Sequence, residues 1–242
     1  MRLDKFLSHT GFGSRKEVKE LLKKKQVSVN GVLVKDGKFN INEFEDEVAV
    51  SDEVVIYKKF AYYMLNKPKG VVSATEDNLH RTVLDLISAK DNLPGLFPVG
   101  RLDKDTTGLL LITNDGDLSH QLLSPKKKVP KLYEAKIAGI MTEEDVLSFS
   151  KGITISGNEE CLPASLVILS TDELADSSKI QLEIVEGKFH QVKRMVEAVG
   201  KKVVELNRLS MGGLILDDSL KKGSYRELSK EELEELLKVK TK

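Results

Sequence analysis

The chain has 242 residues, room for one large domain or a small domain joined to a larger one. Its formal net charge is zero, yet residues 1–40 carry ten Lys/Arg against four Asp/Glu, while residues 41–53 carry six acidic residues and no basic one. A single cysteine, Cys161, excludes an internal disulfide. No C-x-x-C spacing suggests a metal, and no apolar run approaches the ~20 residues that cross a bilayer. Met1-Arg2-Leu3-Asp4 lacks a signal-peptide pattern, so a soluble cytoplasmic protein is expected.

In chain order, Leu3, Phe6 and Leu7 have helical spacing. After Gly11-Phe12-Gly13 a second helix is predicted, with Ser14 as N-cap and Glu17 completing a capping box. On it Arg15, Lys19 and Lys23 recur every four residues beside Lys16, and Val18, Leu21 and Leu22 occupy a separate arc. Val27-Ser28-Val29-Asn30-Gly31-Val32-Leu33-Val34 then reads as a hairpin turning at Asn-Gly. A basic helix running into a hairpin, extended by Lys24 and Lys25, favours phosphate contact over a merely solvated face.

From Phe60 the pattern becomes strands at Ala61–Leu65, Leu109–Thr113, Leu132–Ile137, Ile180–Val185 and Val203–Leu206. Helices are predicted at Val83–Ile87, Leu118–Leu123, Asp145–Phe149, Gln191–Val199 and Glu231–Leu237. This irregular mixture implies an α+β fold. The domains expected are residues 1–59 and 60–242. Asn66-Lys67-Pro68-Lys69-Gly70 reads as a basic loop presenting two lysines. In Gly100–Gly108, Arg101, Asp103, Lys104 and Asp105 precede a buried strand. A carboxylate beside such cations is kept ionised and can act as nucleophile or base, or simply form a loop salt bridge. Residue chemistry alone does not separate Asp103 from Asp105.

Two resemblances go further. Arg2-Leu3-Asp4-Lys5-Phe6-Leu7, Ser14-Arg15 and Val27-Ser28-Val29-Asn30-Gly31 resemble the ribosomal-protein-S4-like RNA-binding domain, which implies that Arg15, Lys16, Lys19 and Lys23 grip structured RNA. Gly100-Arg101-Leu102-Asp103 with Thr106-Thr107-Gly108-Leu109-Leu110 resembles the catalytic motif of pseudouridine synthases that act on ribosomal RNA. Asn66–Gly70, Lys131-Leu132-Tyr133 and the stretch Glu186-Gly187-Lys188-Phe189-His190-Gln191-Val192-Lys193-Arg194-Met195 resemble the same group's other motifs, in family order.

The resemblance implies a mixed, mainly antiparallel sheet with flanking helices, and no cofactor or metal. It implies catalysis by Asp103, a base-stacking role for Tyr133 and a basic partner for Asp103, which is Lys193 by position. Arg194 is left for phosphate or tertiary contacts. Arg101 is either a salt-bridge partner or a wedge replacing the flipped nucleotide. Lys67 and Lys69 are expected to face RNA, and His190 stays outside the catalytic set. Leu118–Lys126 and Lys188–Met195 are most similar to the RsuA type, whose members modify position 516 of 16S rRNA. The partner implied is 16S rRNA or a small-subunit assembly particle, met by a monomer. A 23S rRNA synthase and a non-catalytic assembly factor are the alternatives.

Overall fold

The computed structural model describes residues 1–241, so Lys242, the end of the expected second domain, lies outside the described residues. The chain divides into two units: Met1–Ala61 with Ile87–Leu96, and Tyr62–Leu86 with Phe97 onward.

In the first unit, the apolar arcs of α1 (Leu3–His9) and α2 (Arg15–Lys23) put Leu3, Phe6, Leu7, Val18 and Leu22 into one core. Ser14 accepts from the Glu17 amide at 3.4 Å while Glu17 accepts from the Ser14 amide at 2.7 Å, the reciprocal cap that the sequence implies. The hairpin forms from β1 (Val27–Val29) and β2 (Val32–Leu33), with φ of 51° at Asn30 and 76° at Gly31. The acidic segment is more ordered than its charge suggests. It supplies β3 (Val48–Val50) and β4 (Glu53–Val54), giving a sheet of order β2-β1-β3-β4.

The second unit is a nine-stranded mixed sheet with flanking helices. Its strands are β5 (Tyr62–Lys67), β6 (Phe97–Pro98), β7 (Thr107–Thr113), β8 (Lys131–Ala138), β11 (Ser165–Asp172), β12 (Ser177–Ile184), β13 (Lys202–Met211), β14 (Leu214–Ile215) and β15 (Tyr225–Glu227), with β9 (Thr154–Ile155) and β10 (Glu159–Glu160) forming a separate hairpin. The main order is β11-β12-β8-β13-β7-β5-β15. Only the β13–β7 pair is parallel; the others are antiparallel. Helices α3 (Gly116–Leu123), α4 (Glu143–Lys151), α5 (Gln191–Ala198) and α6 (Lys230–Thr241) complete it. Leu109, Leu111, Met64, Leu118, Leu122 and Leu236 are fully buried in its core.

The helix expected at Val83–Ile87 is reduced to a single 3-10 turn, Leu84–Leu86. The Val72 amide donates to the Arg81 carbonyl and the Val83 amide donates to the Val72 carbonyl, pulling this segment into a bridge between Val72 and Thr82 instead of a further helical turn. Strand β13 runs five residues beyond the expected Leu206.

Candidate active site

The loop carrying Asp103 enters β7, whose seven residues are all buried. Gly108 crosses β13 so closely that a Cβ there would lie 2.3 Å from the Arg208 carbonyl oxygen, and its φ of 101° excludes most other residues. The loop is held from below by Lys67. That side chain is fully buried, and its Nζ donates to the carbonyls of Asp103 and Thr106 at 2.9 Å, Pro68 at 3.2 Å and Lys104 at 3.4 Å. Burial pushes the Lys67 ammonium down to about 8, against the pull of Asp105 and Asp103. Lys67 is therefore a strut inside the protein, which corrects its expected place on an exposed loop. Lys69 is exposed as expected. Ser73 adds a second clamp, accepting from the Leu102 amide at 3.0 Å and donating to the Leu102 carbonyl at 2.9 Å.

Above that support stands a four-membered charge cluster. Lys193, on the first turn of α5, places Nζ 2.9 Å from Asp103 and 2.6 Å from Asp105. Burial lowers the affinity of Lys193 for its proton, but the two carboxylates outweigh it and its pKa lies above the ordinary value. The hydrogen bond from Lys193 in turn holds the Asp105 carboxyl below its usual range. His190 comes within 3.4 Å of the other Asp103 oxygen, from a left-handed backbone conformation at the N-cap of α5, and stacks on Phe189 at 3.8 Å. The partner of Asp103 is thus distant in sequence: no ion pair forms with Arg101 or Lys104 among the described residues.

Asp103, His190 and Lys193 line a cavity of about 950 Å³. Tyr133, only 7% exposed, lines it from β8, and the exposed Arg101 lines it from the loop. Among the described residues the Arg101 guanidinium has no hydrogen-bond partner, so it is free to turn toward a ligand. Lys131, Leu206 and Arg208 also line the cavity. Arg208 sits directly opposite Tyr133 in the β13–β8 ladder, so the two project from the same face, and Lys131, two residues before Tyr133, shares it.

Arg194, expected in phosphate or tertiary contacts, makes tertiary ones. Its guanidinium donates to Ser156 Oγ at 2.9 Å, the Phe189 carbonyl at 3.0 Å and Glu159 at 2.6 Å, tying α5 to β10. In the first unit Arg15, Lys16, Lys19 and Lys23 are all exposed on α2. Lys23 shares its charge with Glu20 at 2.8 Å, a solvent-facing pair that gives way at small cost.

Sequence reasoning missed Lys131 and Arg208 as cavity residues, and His190 as a neighbour of Asp103. The first two had a signal: charged residues at inward positions of alternating strands, Lys131 in phase with Tyr133 and Ala135, and Arg208 in phase with Leu206. Ending β13 at Leu206 concealed it. His190 had none, because its approach depends on a left-handed turn.

Residues 61–198 match the family described as RNA pseudouridylate synthase, and residues 1–48 match the S4 domain. An uncharacterised RNA pseudouridine synthase of Bacillus subtilis is 49% identical over 96% of this chain and 97% of its own length. A protein named ribosomal small subunit pseudouridine synthase A, from Vibrio cholerae, is 41% identical over 98% and 100%. One named ribosomal large subunit pseudouridine synthase B, from B. subtilis, is 38% identical over 97% and 95%. A crystal structure of a pseudouridylate synthase aligns with a TM-score of 0.66 and 37% identity, covering 98% of this chain and 99% of that one.

Proposed function

The chain belongs to the RNA pseudouridylate synthase family, with an N-terminal S4 domain, and is an RNA-acting isomerase; from that premise we propose that it converts a uridine of 16S rRNA, that at position 516, to pseudouridine. The observation that carries the catalytic assignment is the Asp103 carboxylate, 2.9 Å from Lys193 at a cavity that Tyr133 also lines. The reaction breaks the bond between N1 of uracil and C1′ of ribose, turns the detached base and rejoins it through C5. One proton moves from C5 to N1, so substrate and product are isomers and no redox partner is needed.

In this reading Asp103 supplies covalent or base catalysis, and Lys193 holds its carboxylate in place. The Tyr133 ring lies against the extruded uracil, offsetting part of the stacking lost on leaving the helix. Arg101, exposed and unpartnered, fills the gap the base leaves. Arg15, Lys16, Lys19, Lys23 and Lys69 bind the RNA backbone. The choice of 16S rRNA rests on Leu118–Lys126 and Lys188–Met195 and on the small-subunit relative. The large-subunit relative favours 23S rRNA as the second reading.

The test is complementation of cells lacking the gene, with pseudouridine mapped in both rRNAs. Wild type should restore a mark at position 516 of 16S rRNA, and D103N should restore none, its turnover falling by at least ~10³-fold. Full restoration by D103N sinks the catalytic assignment; a mark confined to 23S rRNA sinks the target.

A further inference from the structure

Arg208 is 2% exposed, and among the described residues its only side-chain hydrogen bond runs from Nε to the Leu109 carbonyl at 2.8 Å. Its Nη2 is enclosed with no partner at all. No carboxylate lies within ion-pairing distance of Arg208 or of the neighbouring buried Lys131 among the described residues. Arg194 and Arg226 show the usual arrangement, each holding a glutamate within 2.7 Å. An arginine buried without a counter-charge costs the fold several kcal/mol, which removal of its partner elsewhere would reveal as instability. Here the cavity stands where the partner would be: Arg208, Lys131, Tyr133 and Thr106 all line it, and Thr106 Oγ1 is another enclosed polar atom without a partner.

We infer that Arg208 is a catalytic residue that binds a carbonyl oxygen of the extruded uracil and stabilises the negative charge the base acquires when it detaches. The inference rests on the pseudouridine synthase reading and assigns its base-binding pocket. When the N1–C1′ bond breaks, its electron pair leaves with the ring and spreads over O2 and O4, and the electron deficiency at C1′ is met by Asp103. When C5 bonds to C1′, Asp103 leaves C1′ as the free carboxylate; C5 then gives up its proton and N1 takes one up, which leaves the ring neutral. A guanidinium fixed by Leu109 and aimed from the strand opposite Tyr133 meets that charge without reorganising. The ligand is the base and not a phosphate, because Arg208 and Tyr133 are almost wholly enclosed, whereas Arg101, Lys69 and Lys104 offer cations at the surface.

The experiment measures single-turnover pseudouridine formation on in vitro transcribed rRNA containing uridine, 2-thiouridine or 4-thiouridine. Sulfur is a poor acceptor, so one of the two substitutions should slow wild type by about tenfold. R208M should be slower than wild type by about 10²-fold on normal RNA, and that same sulfur substitution should cost it nothing further. R208K, which keeps the charge, should recover part of the rate and part of the sulfur effect. If neither sulfur slows wild type, or R208M stays as sulfur-sensitive as wild type, the assignment is overturned. An R208M defect confined to KM and relieved by low salt indicates a phosphate contact and overturns it too. Should R208M fail to fold, the wild-type and R208K series still decide. Wild type inactive on both 16S and 23S rRNA refutes the broader reading, a result distinct from all of these.

Discussion

Lysine serves opposite ends in the two units. On α2 the cations are exposed, separate and loosely paired, as Lys23 with Glu20. In the synthase unit Lys67, Lys131 and Lys193 are turned inward, and each is bound to named oxygens: four carbonyls, the Val129 carbonyl at 2.9 Å, and two carboxylates. Exposed charges act through counterion release and add up roughly one by one. Enclosed charges act through fixed geometry, where removing one leaves others stranded.

That contrast can be broken in four places. K193M leaves Asp103 and Asp105 facing each other without their shared cation, and we predict a loss of about 10³-fold in kcat/KM, while D105N loses less than about tenfold. Equal losses in the two variants would remove the distinction between the carboxylates. K67M strands four carbonyls and is expected to cost about 3 kcal/mol, seen as a fall in Tm of about 6–12 °C. A K67M protein that melts like wild type but binds RNA poorly would return Lys67 to the RNA surface. Combined R15A, K19A and K23A should weaken RNA binding by about tenfold and reduce the slope of log K against log salt by about 2–3, with melting unchanged. An unaltered slope would leave α2 as an ordinary solvated face.

The smallest effect concerns pH. Burial, with Arg208 nearby, pushes the Lys131 ammonium down to about 8 from 10.5. Below pH 8 both folded and unfolded chains hold this proton, and the folded state bears the full burial penalty. Between about 8 and 10.5 the folded protein has released it and the unfolded chain has not, so this site's contribution to stability rises with pH. K131M should thus be more stable than wild type by about 1–2 kcal/mol near pH 7, with the advantage shrinking towards pH 10. Urea titrations at pH 7 and pH 10 check the sign; an advantage that grows with pH contradicts it.

What could be read in the sequence was whatever depends on neighbours along the chain. Ser14 and Glu17 announce the start of α2, Asn30-Gly31 the hairpin, and Leu109–Thr113 a buried strand, because each rests on contacts a few residues apart. The order of the motifs also placed Asp103, Tyr133 and Lys193, and the three do line one cavity. What was hidden depends on where a strand end points. Lys67 looks like a loop cation until β5 is seen to carry it beneath the Asp103 loop. Arg194, one residue from Lys193, leans the other way to Glu159 because adjacent helical positions diverge by about 100°. Strand β11 escaped because its outer half, Leu169–Asp172, is polar or exposed and shows no clean alternation.

The lone parallel contact of the large sheet has a consequence for biosynthesis. Thr107 hydrogen-bonds Asn207 across a separation of 100 residues, and Gly108 admits the strand bearing Arg208 alongside it. A ribosome must therefore make most of the chain before the Asp103 loop gains its neighbour, and pairing at such separation is slow to form. An incomplete nascent chain can present its basic α2 to RNA long before it can hold a base, so in this protein attachment precedes competence by the time needed to synthesise the chain between α2 and β13.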